Sequence, residues 1–409
     1  MTDKAKQTTV LSVRLHDRQI GTITRLSGDR QLFAFDESYI DDANRQTLSL
    51  SFKSASGGLV TSLRPYTLKL PQFFSNLLPE GHLREYLARQ IGVKPEREFF
   101  LLAALGLDLP GAVTVVPLDG ATVDDGEVAV KRADKKEDTQ LRFSLAGVQL
   151  KFSAIAAARG GLTIPANGIG GAWIVKLPSM TFPAVSENEY AMLALARKLG
   201  IEVPQTRLVP VSEIQGLPEG VGQLQGSAFV VERFDRTSDG KRVHMEDFAQ
   251  VFGLFPDEKY GKRNYSNIAA VLWAEIGEEA VNDFMRRLVF SIVIGNGDMH
   301  LKNWTLLYRD GVRPSLSPAY DFVSTVPYIP NDNLALKFGG DKNLRGISQA
   351  TVRRFAEKAG LAVGPLWRTV DETIAATREN WRTLPEADLL PKNIRDAINA
   401  HIEGVNPSE

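Results

Sequence analysis

The chain has 409 residues, more than one compact core normally holds, so two or three domains or lobes are expected. Hydrophobic residues make up 43% and charged residues 24%, and 48 Lys and Arg against 49 Asp and Glu give no global attraction for nucleic acid. Zero cysteines exclude disulfides, thiolate nucleophiles and cysteine-based zinc or iron–sulfur sites.

Taken in chain order, the opening MTDKAKQTTVLSVRLHD lacks the apolar core of a targeting signal and runs straight into strand-like sequence. VLSVRL, IGTITRL and QLFAF show partial period-two alternation broken by Gly and Asp turns. A helix is expected over FFSNLLPEGHLREYLARQ and a second over EREFFLLAALG, and the polar PLDGATVDDGEVAVKRADKKEDTQ is the best candidate for a domain boundary. From Leu141, LRFSLAGVQLKFSA reads as strand, turn and strand; the Gly-rich ARGGLTIPANGIGG follows, then a strand in AWIVKLP. VSENEYAMLALARKLG is an amphipathic helix with Ser186 as N-cap and Gly200 at its end. QTRLVPV and GSAFVVERFD are further strands, and beyond His244 the pattern is mostly helical apart from its opening segment and strands at WTLLY and LALKF. The apolar stretch Leu288 to Ile294 is far too short to span a bilayer, so a soluble, cytoplasmic protein is expected.

Four separated pieces carry chemistry. In IGNGDMHLKNW, Asp298 and Asn303 have the D-x-x-x-x-N spacing by which a phosphoryl-transfer loop points a proton acceptor and a metal ligand at one cluster. Alone, the stretch reads slightly better as a helix-ending turn built by Gly295, Asn296, Gly297 and Asp298. In AYDFVST, Asp321 follows a short strand and suits a second metal ligand, or is merely a strand-exit acid. Lys176 ends an apolar strand and precedes a helix bearing Glu187 and Glu189, as a phosphate-contacting lysine would, or it snorkels from a strand edge. GSAFVVERFDR, with Glu232, Arg233 and Phe234, stands where a hinge would meet an adenine. Each piece is common; their order along the chain is not. No G-x-G-x-x-G precedes Lys176, so an ordinary protein kinase fits poorly.

FSLAGVQLKFSA resembles the S-[IVL]-A-G-A-Q-E-K signature, and GNGDMHLKNW the G-N-x-D-x-H-x-K-N signature, of the HipA family, the kinase toxins of bacterial type II toxin–antitoxin pairs. NLLPEGHLRE, GLDLPGAV, VVERFDR and HMEDFAQ match as well, so the likeness covers nearly the whole chain. The resemblance implies an α+β, two-lobed protein-kinase-like fold. An N-terminal β-rich subdomain with helices would span 1–125, an N-lobe 126–240 and a helical C-lobe 241–409. It implies a serine/threonine kinase using ATP and Mg2+, with Asp298 as catalytic base and Asn303 and Asp321 on the metal. The nucleotide would meet the phosphate loop Ala146, Gly147, Val148, Gln149, Leu150 and Lys151, the lysine Lys176, and the hinge Glu232, Arg233 and Phe234. It would also meet His300, Leu301, Lys302, Asn303, Tyr320 and Asp321, and Ser144 would be the autophosphorylated serine. Val148 and Leu150 depart from the family's Ala and Glu, and Leu150 offers no side-chain acceptor. The implied partners are a small helix-turn-helix antitoxin that contacts operator DNA and a protein target of the aminoacyl-tRNA synthetase class, notably the glutamyl enzyme.

Three other readings compete. A metal-dependent phosphohydrolase or nuclease would gather His and carboxylates at short spacing, whereas His16, His82, His244, His300 and His401 are scattered. A small-molecule kinase would not need the N-terminal β module. A kinase-fold corepressor without activity would not need to keep the metal and phosphate residues.

Overall fold

The computed structural model describes residues 9–118, 151–156, 162–164, 171–217 and 224–407. Ser144 and the expected phosphate-loop residues Ala146, Gly147, Val148, Gln149 and Leu150 lie outside the described residues, as does most of the candidate boundary segment.

The N-terminal module is a five-stranded sheet. β1 (Val10–Leu15), β2 (Arg18–Leu26) and β3 (Arg30–Phe35) form an antiparallel meander, flanked by β4 (Tyr66–Thr67) and β5 (Val113–Pro117) in the order β4-β3-β2-β1-β5. Alternation along β1 buries Leu11, Val13 and Leu15 against Phe33, Phe73, Phe74, Phe99 and Phe100. The helices are α1 (Glu37–Ile40), α2 (Gln72–Ser75), α3 (Gly81–Ile91) and α4 (Glu98–Leu105). The single helix expected over residues 73–90 is thus two, because Pro79 interrupts the pattern and α3 starts afresh after Glu80.

The second unit is a six-stranded sheet: β6 (Lys151–Ala156), β7 (Leu162–Thr163), β8 (Trp173–Lys176), β9 (Thr206–Pro210), β10 (Ile214–Gln215) and β11 (Ser227–Glu232), in the order β10-β7-β6-β8-β11-β9. Helix α5 (Val185–Lys198) packs on β9 and β11 and also enters the core of the third unit. Ser186 does not cap it. The N-cap is Ala184, whose φ of 54° turns the chain into the helix, and Ser186 is buried inside the first turn. The expected C-terminal stop holds, with Gly200 at φ 72° just past the helix.

The third unit is mostly helical. It opens with β12 (His244–Asp247), α6 (Phe248–Val251), α7 (Tyr265–Glu275) and α8 (Glu278–Val293). β13 (Thr305–Tyr308) and β14 (Ser315–Leu316) complete a small sheet with β12, and β15 (Asn333–Phe338) pairs with β16 (Asp341–Asn343). The unit closes with α9 (Gln349–Ala359), α10 (Val363–Trp381) and α11 (Lys392–Gly404). The apolar run of α8 is buried by α10 and α7, which fixes the end of α8 and the loop that leaves it. Among the described residues no helix is long and apolar enough to cross a membrane.

Candidate active site

Lys176 ends β8 across from Lys151 on β6 and Phe229 on β11. Its ammonium is buried, which is costly unless opposite charge stands beside it. Two carboxylates do: Glu189 of α5 accepts from Nζ at 2.5 Å, and Asp321 accepts from the same atom. Burial alone would discharge the ammonium, but Asp321 and Glu189 overcome it and hold Lys176 above its ordinary range. Of the two glutamates on this helix the structure selects Glu189, which is buried, whereas Glu187 stays half-exposed. Burial pushes the Glu189 carboxyl up, with Lys176 opposing. For Asp321 burial also pushes upward, but Lys151 and Lys176 prevail and hold it well below the carboxylate range. Lys151 Nζ lies 3.7 Å from its second oxygen.

Asp321 has φ of 55°, a left-handed conformation that costs a non-glycine residue about 1–3 kcal/mol. Its carbonyl is held by Asn296, whose Nδ2 donates to it at 3.1 Å. The same carboxamide accepts from the Asp298 backbone N–H at 3.0 Å through Oδ1. One buried side chain therefore fixes both acid-bearing loops. The loop after α8 can run this close only because of its glycines. A Cβ on Gly297 would sit 2.1 Å from Asp332 Oδ2, and Gly295, at φ 72°, faces Val326 at 2.8 Å.

Asp298 is exposed, yet enough protein surrounds it that desolvation raises its carboxyl above the usual range, opposed by the Tyr260 hydroxyl. That hydroxyl donates to Oδ1 at 2.9 Å. Asn303 donates from Nδ2 to the Asp298 carbonyl at 2.9 Å, which turns its own Oδ1 away and leaves that oxygen for another partner. The buried His300 ring stands edge-on to Tyr260, with centroids 5.1 Å apart, and burial followed by the Lys259 charge pushes it down to about 3, so the imidazole is neutral. Tyr320 donates its hydroxyl to the Lys302 carbonyl at 2.8 Å, tying the Asp321 loop to the Asp298 loop a second time.

Several residues expected at the nucleotide make contacts within the chain. The Lys302 ammonium is directed at Asp247 Oδ2 (2.9 Å), Asn76 Oδ1 (3.0 Å), the Asn76 carbonyl (3.1 Å) and Glu80 Oε1 (3.5 Å), so it faces the N-terminal module. Two of these four oxygens belong to carboxylates, so within the chain its charge is already paired. The Leu301 side chain is fully buried in the C-terminal core. At the hinge, the N–H groups of Glu232 and Arg233 donate to the carbonyls of Gln205 and Ala172 at 2.9 and 2.8 Å. The Arg233 guanidinium turns away to Asp235 and Asp108, while Phe234 packs on Tyr320 with ring centroids 5.4 Å apart. Tyr260 and Glu80 carry no signal of their own in the sequence, although Glu80 lies in NLLPEGHLRE, and Asn296 reads there as a turn former two residues before Asp298.

A family model described as the HipA-like C-terminal domain matches residues 143–381, and the HipA N-terminal domain model matches 11–116. The chain is 51% identical over 398 residues to "Putative kinase Y4dM" of Sinorhizobium fredii, covering 96% of each chain. It is 27% identical to the serine/threonine-protein kinase toxin HipA of Shewanella oneidensis over 79% of this chain and 76% of that one. A solved structure of the Shewanella oneidensis HipA, HipB and operator DNA complex superposes with TM-score 0.72 at 22% identity, covering 96% of both chains, so the α+β two-lobed fold with its N-terminal module is shared. A buried lysine–glutamate pair, an acid on the loop after a short strand and a second acid five residues before an asparagine thus sit on a matching fold, and the chain belongs to the HipA family of kinases.

Proposed function

We propose that the protein transfers the γ-phosphate of ATP, in the presence of Mg2+, to a serine or threonine hydroxyl of a protein. The observation that carries this reading is the bridge by Asn296, which holds Asp298 and the Lys176-paired Asp321 in one site. Asp298 would accept or orient the attacking hydroxyl's proton, and Lys176 would exchange part of its carboxylate contact for the nucleotide phosphates. Asn303 Oδ1 and the Asp321 carboxylate suit Mg2+, which takes few protein oxygens and keeps water and phosphate for the rest. When bound, the ion neutralises phosphate charge. His300 stays neutral and walls the cleft, and at the hinge the Phe234 N–H, which has no partner among the described residues, is left for the base. The protein's own contribution is positioning and electrostatics.

The serine/threonine choice draws on the Shewanella oneidensis relative's name, and a helix-turn-helix antitoxin reaching operator DNA draws on that relative's complex. The target would be of the aminoacyl-tRNA synthetase class, and inhibition of translation its consequence. Ser144 would be the self-inactivating site, since phosphate there adds roughly −1.5 to −2 charge beside the nucleotide. Incubation with γ-labelled ATP tests the reading. Asp298→Asn and Asp321→Ala should each abolish transfer while thermal melting stays cooperative, and undiminished transfer in either variant would reject that acid's role. Intact mass with and without ATP should show one phosphate on the wild type and none on Ser144→Ala.

A further inference from the structure

Glu80 stands at the N-cap of α3, where a carboxylate ordinarily interacts with its own helix, yet its side chain makes no capping bond. It reaches across to the third unit instead. Oε2 accepts from Lys259 Nζ at 2.8 Å, and Oε1 lies 3.5 Å from Lys302 Nζ. Each lysine adjoins a residue that holds Asp298. Lys259 precedes Tyr260, whose hydroxyl donates to Asp298 Oδ1, and Lys302 precedes Asn303, whose amide donates to the Asp298 carbonyl. The Lys259 carbonyl also accepts from the Leu301 N–H at 3.4 Å, which joins the two segments directly. The two ammoniums outweigh burial and keep the Glu80 carboxyl below its ordinary range, so it is a charged partner to both.

We propose that Glu80 is a positioning residue for phosphoryl transfer, by which the N-terminal module holds the two segments that aim Asp298 at the acceptor. The inference rests on the reading of Asp298 as the proton acceptor. Lys302 keeps Asp247 and Asn76 if Glu80 is lost, whereas Glu80 is the only ion-pair partner of Lys259 among the described residues. The effect therefore passes mainly through the Tyr260 turn. Tyr260 occupies Oδ1; among the described residues Oδ2 has no hydrogen-bond partner and is the oxygen open to the acceptor hydroxyl. Without the Lys259 anchor, the turn drifts, the phenol leaves, and the carboxylate samples orientations in which neither oxygen meets the acceptor. A misaim of this kind slows the chemical step without weakening nucleotide binding.

The test compares wild type, Glu80→Gln, Tyr260→Phe, the double variant and Asp298→Asn. Single-turnover incorporation of label from γ-labelled MgATP is followed into the chain itself and into dephosphorylated casein, and affinity is measured with a fluorescent ATP analogue. Both single variants should slow transfer about tenfold with nucleotide affinity within about twofold of wild type, and the double should be no slower than the slower single. A merely structural contact would lower the urea midpoint and leave the rate of folded protein unchanged. A wild-type rate in Glu80→Gln, additive losses in the double, or lost affinity with an intact rate would each overturn the positioning role. If Asp298→Asn is inactive while Glu80→Gln is not impaired, the positioning fails and the reading of Asp298 stands. Transfer retained by Asp298→Asn, or absent from the wild type, removes that reading and the inference with it.

Discussion

Asn296 shows how much one buried amide can govern. It is 1% exposed and makes two bonds, one to each acid-bearing loop, so Asn296→Ala leaves the Asp298 N–H and the Asp321 carbonyl unpaired together. The folding cost is about 1–3 kcal/mol, but the larger effect belongs to the reaction, because the two acids lose their common reference. Transfer should fall on the order of a hundredfold in folded protein. Asn296→Asp is the sharper probe. It keeps an acceptor for the Asp298 N–H, loses the donor to Asp321, and places a third negative charge between two carboxylates. It should transfer more slowly than Asn296→Ala and bind MgATP no better; a rate above that of the alanine variant would contradict the bridge. The sequence pattern had Asn296 in view but gave it to a turn, because its second partner lies 25 residues further on, and only the closed loop geometry brings them together.

At the scale of elements, α5 is tied to the segment after Asp321 by the residue preceding Glu189. Asn188 is fully buried; its amide donates to the Ser324 carbonyl at 2.9 Å and accepts from the Ser324 N–H at 3.0 Å, as a strand neighbour would. The helix that carries the Lys176 partner is therefore hydrogen-bonded to the Asp321 loop. Asn188→Leu should destabilise the protein by about 1–3 kcal/mol through the unpaired Ser324 groups, and should weaken ATP binding as Lys176 and Asp321 lose register. Urea midpoints and nucleotide titration check both, and unchanged nucleotide affinity would show that the helix and loop are independent. The strands bearing Lys176 and the hinge were legible from their short apolar runs, and the helix bearing Glu189 from its amphipathic period. Less legible were the ends. Ala184 starts α5 with a left-handed φ that no side-chain chemistry announces, and α2 and α3 share one apolar pattern across the break at Pro79. The internal partners of Lys302 were hidden for a related reason. The lysine lies in a nucleotide-site motif, but Asn76, Glu80 and Asp247, its actual partners, come from distant parts of the chain.

Across the whole molecule, besides the contacts of Glu80 and Asn76 with Lys259 and Lys302, two further polar clusters fasten the N-terminal module to the kinase units. One is the Asp108, Arg233, Asp235 and Arg236 cluster behind the hinge; the other is formed by HMEDFAQ, whose His244 and Glu246 reach Leu48, Ser49 and Leu50. The second site has a pH signature. Burial pushes His244 down from 6.5 to about 4, against the bond that its Nε2–H donates to the Leu48 carbonyl at 2.8 Å; its Nδ1 has no partner among the described residues. As pH falls from 6.5 to 4, the unfolded chain gains a proton that the folded one refuses, so His244 removes about 3 kcal/mol of stability over that window. Burial pushes Glu246 up from 4.5 to about 7, against the donors Ser49, Tyr308 and the Leu50 N–H. Here the folded state takes its proton first, so falling pH from 7 to 4.5 restores a similar amount, about 3 kcal/mol. The two windows nearly coincide and their signs oppose, so in the wild type this interface contributes little net slope. Single variants should expose each half. His244→Gln keeps a donor for the Leu48 carbonyl but cannot titrate, and its urea midpoint should fall less than that of wild type between pH 7 and 5. Glu246→Gln loses the compensating gain, and its midpoint should fall more steeply over the same range. Parallel slopes in all three proteins would mean that neither group changes protonation on unfolding, and the fastening would then be pH-independent.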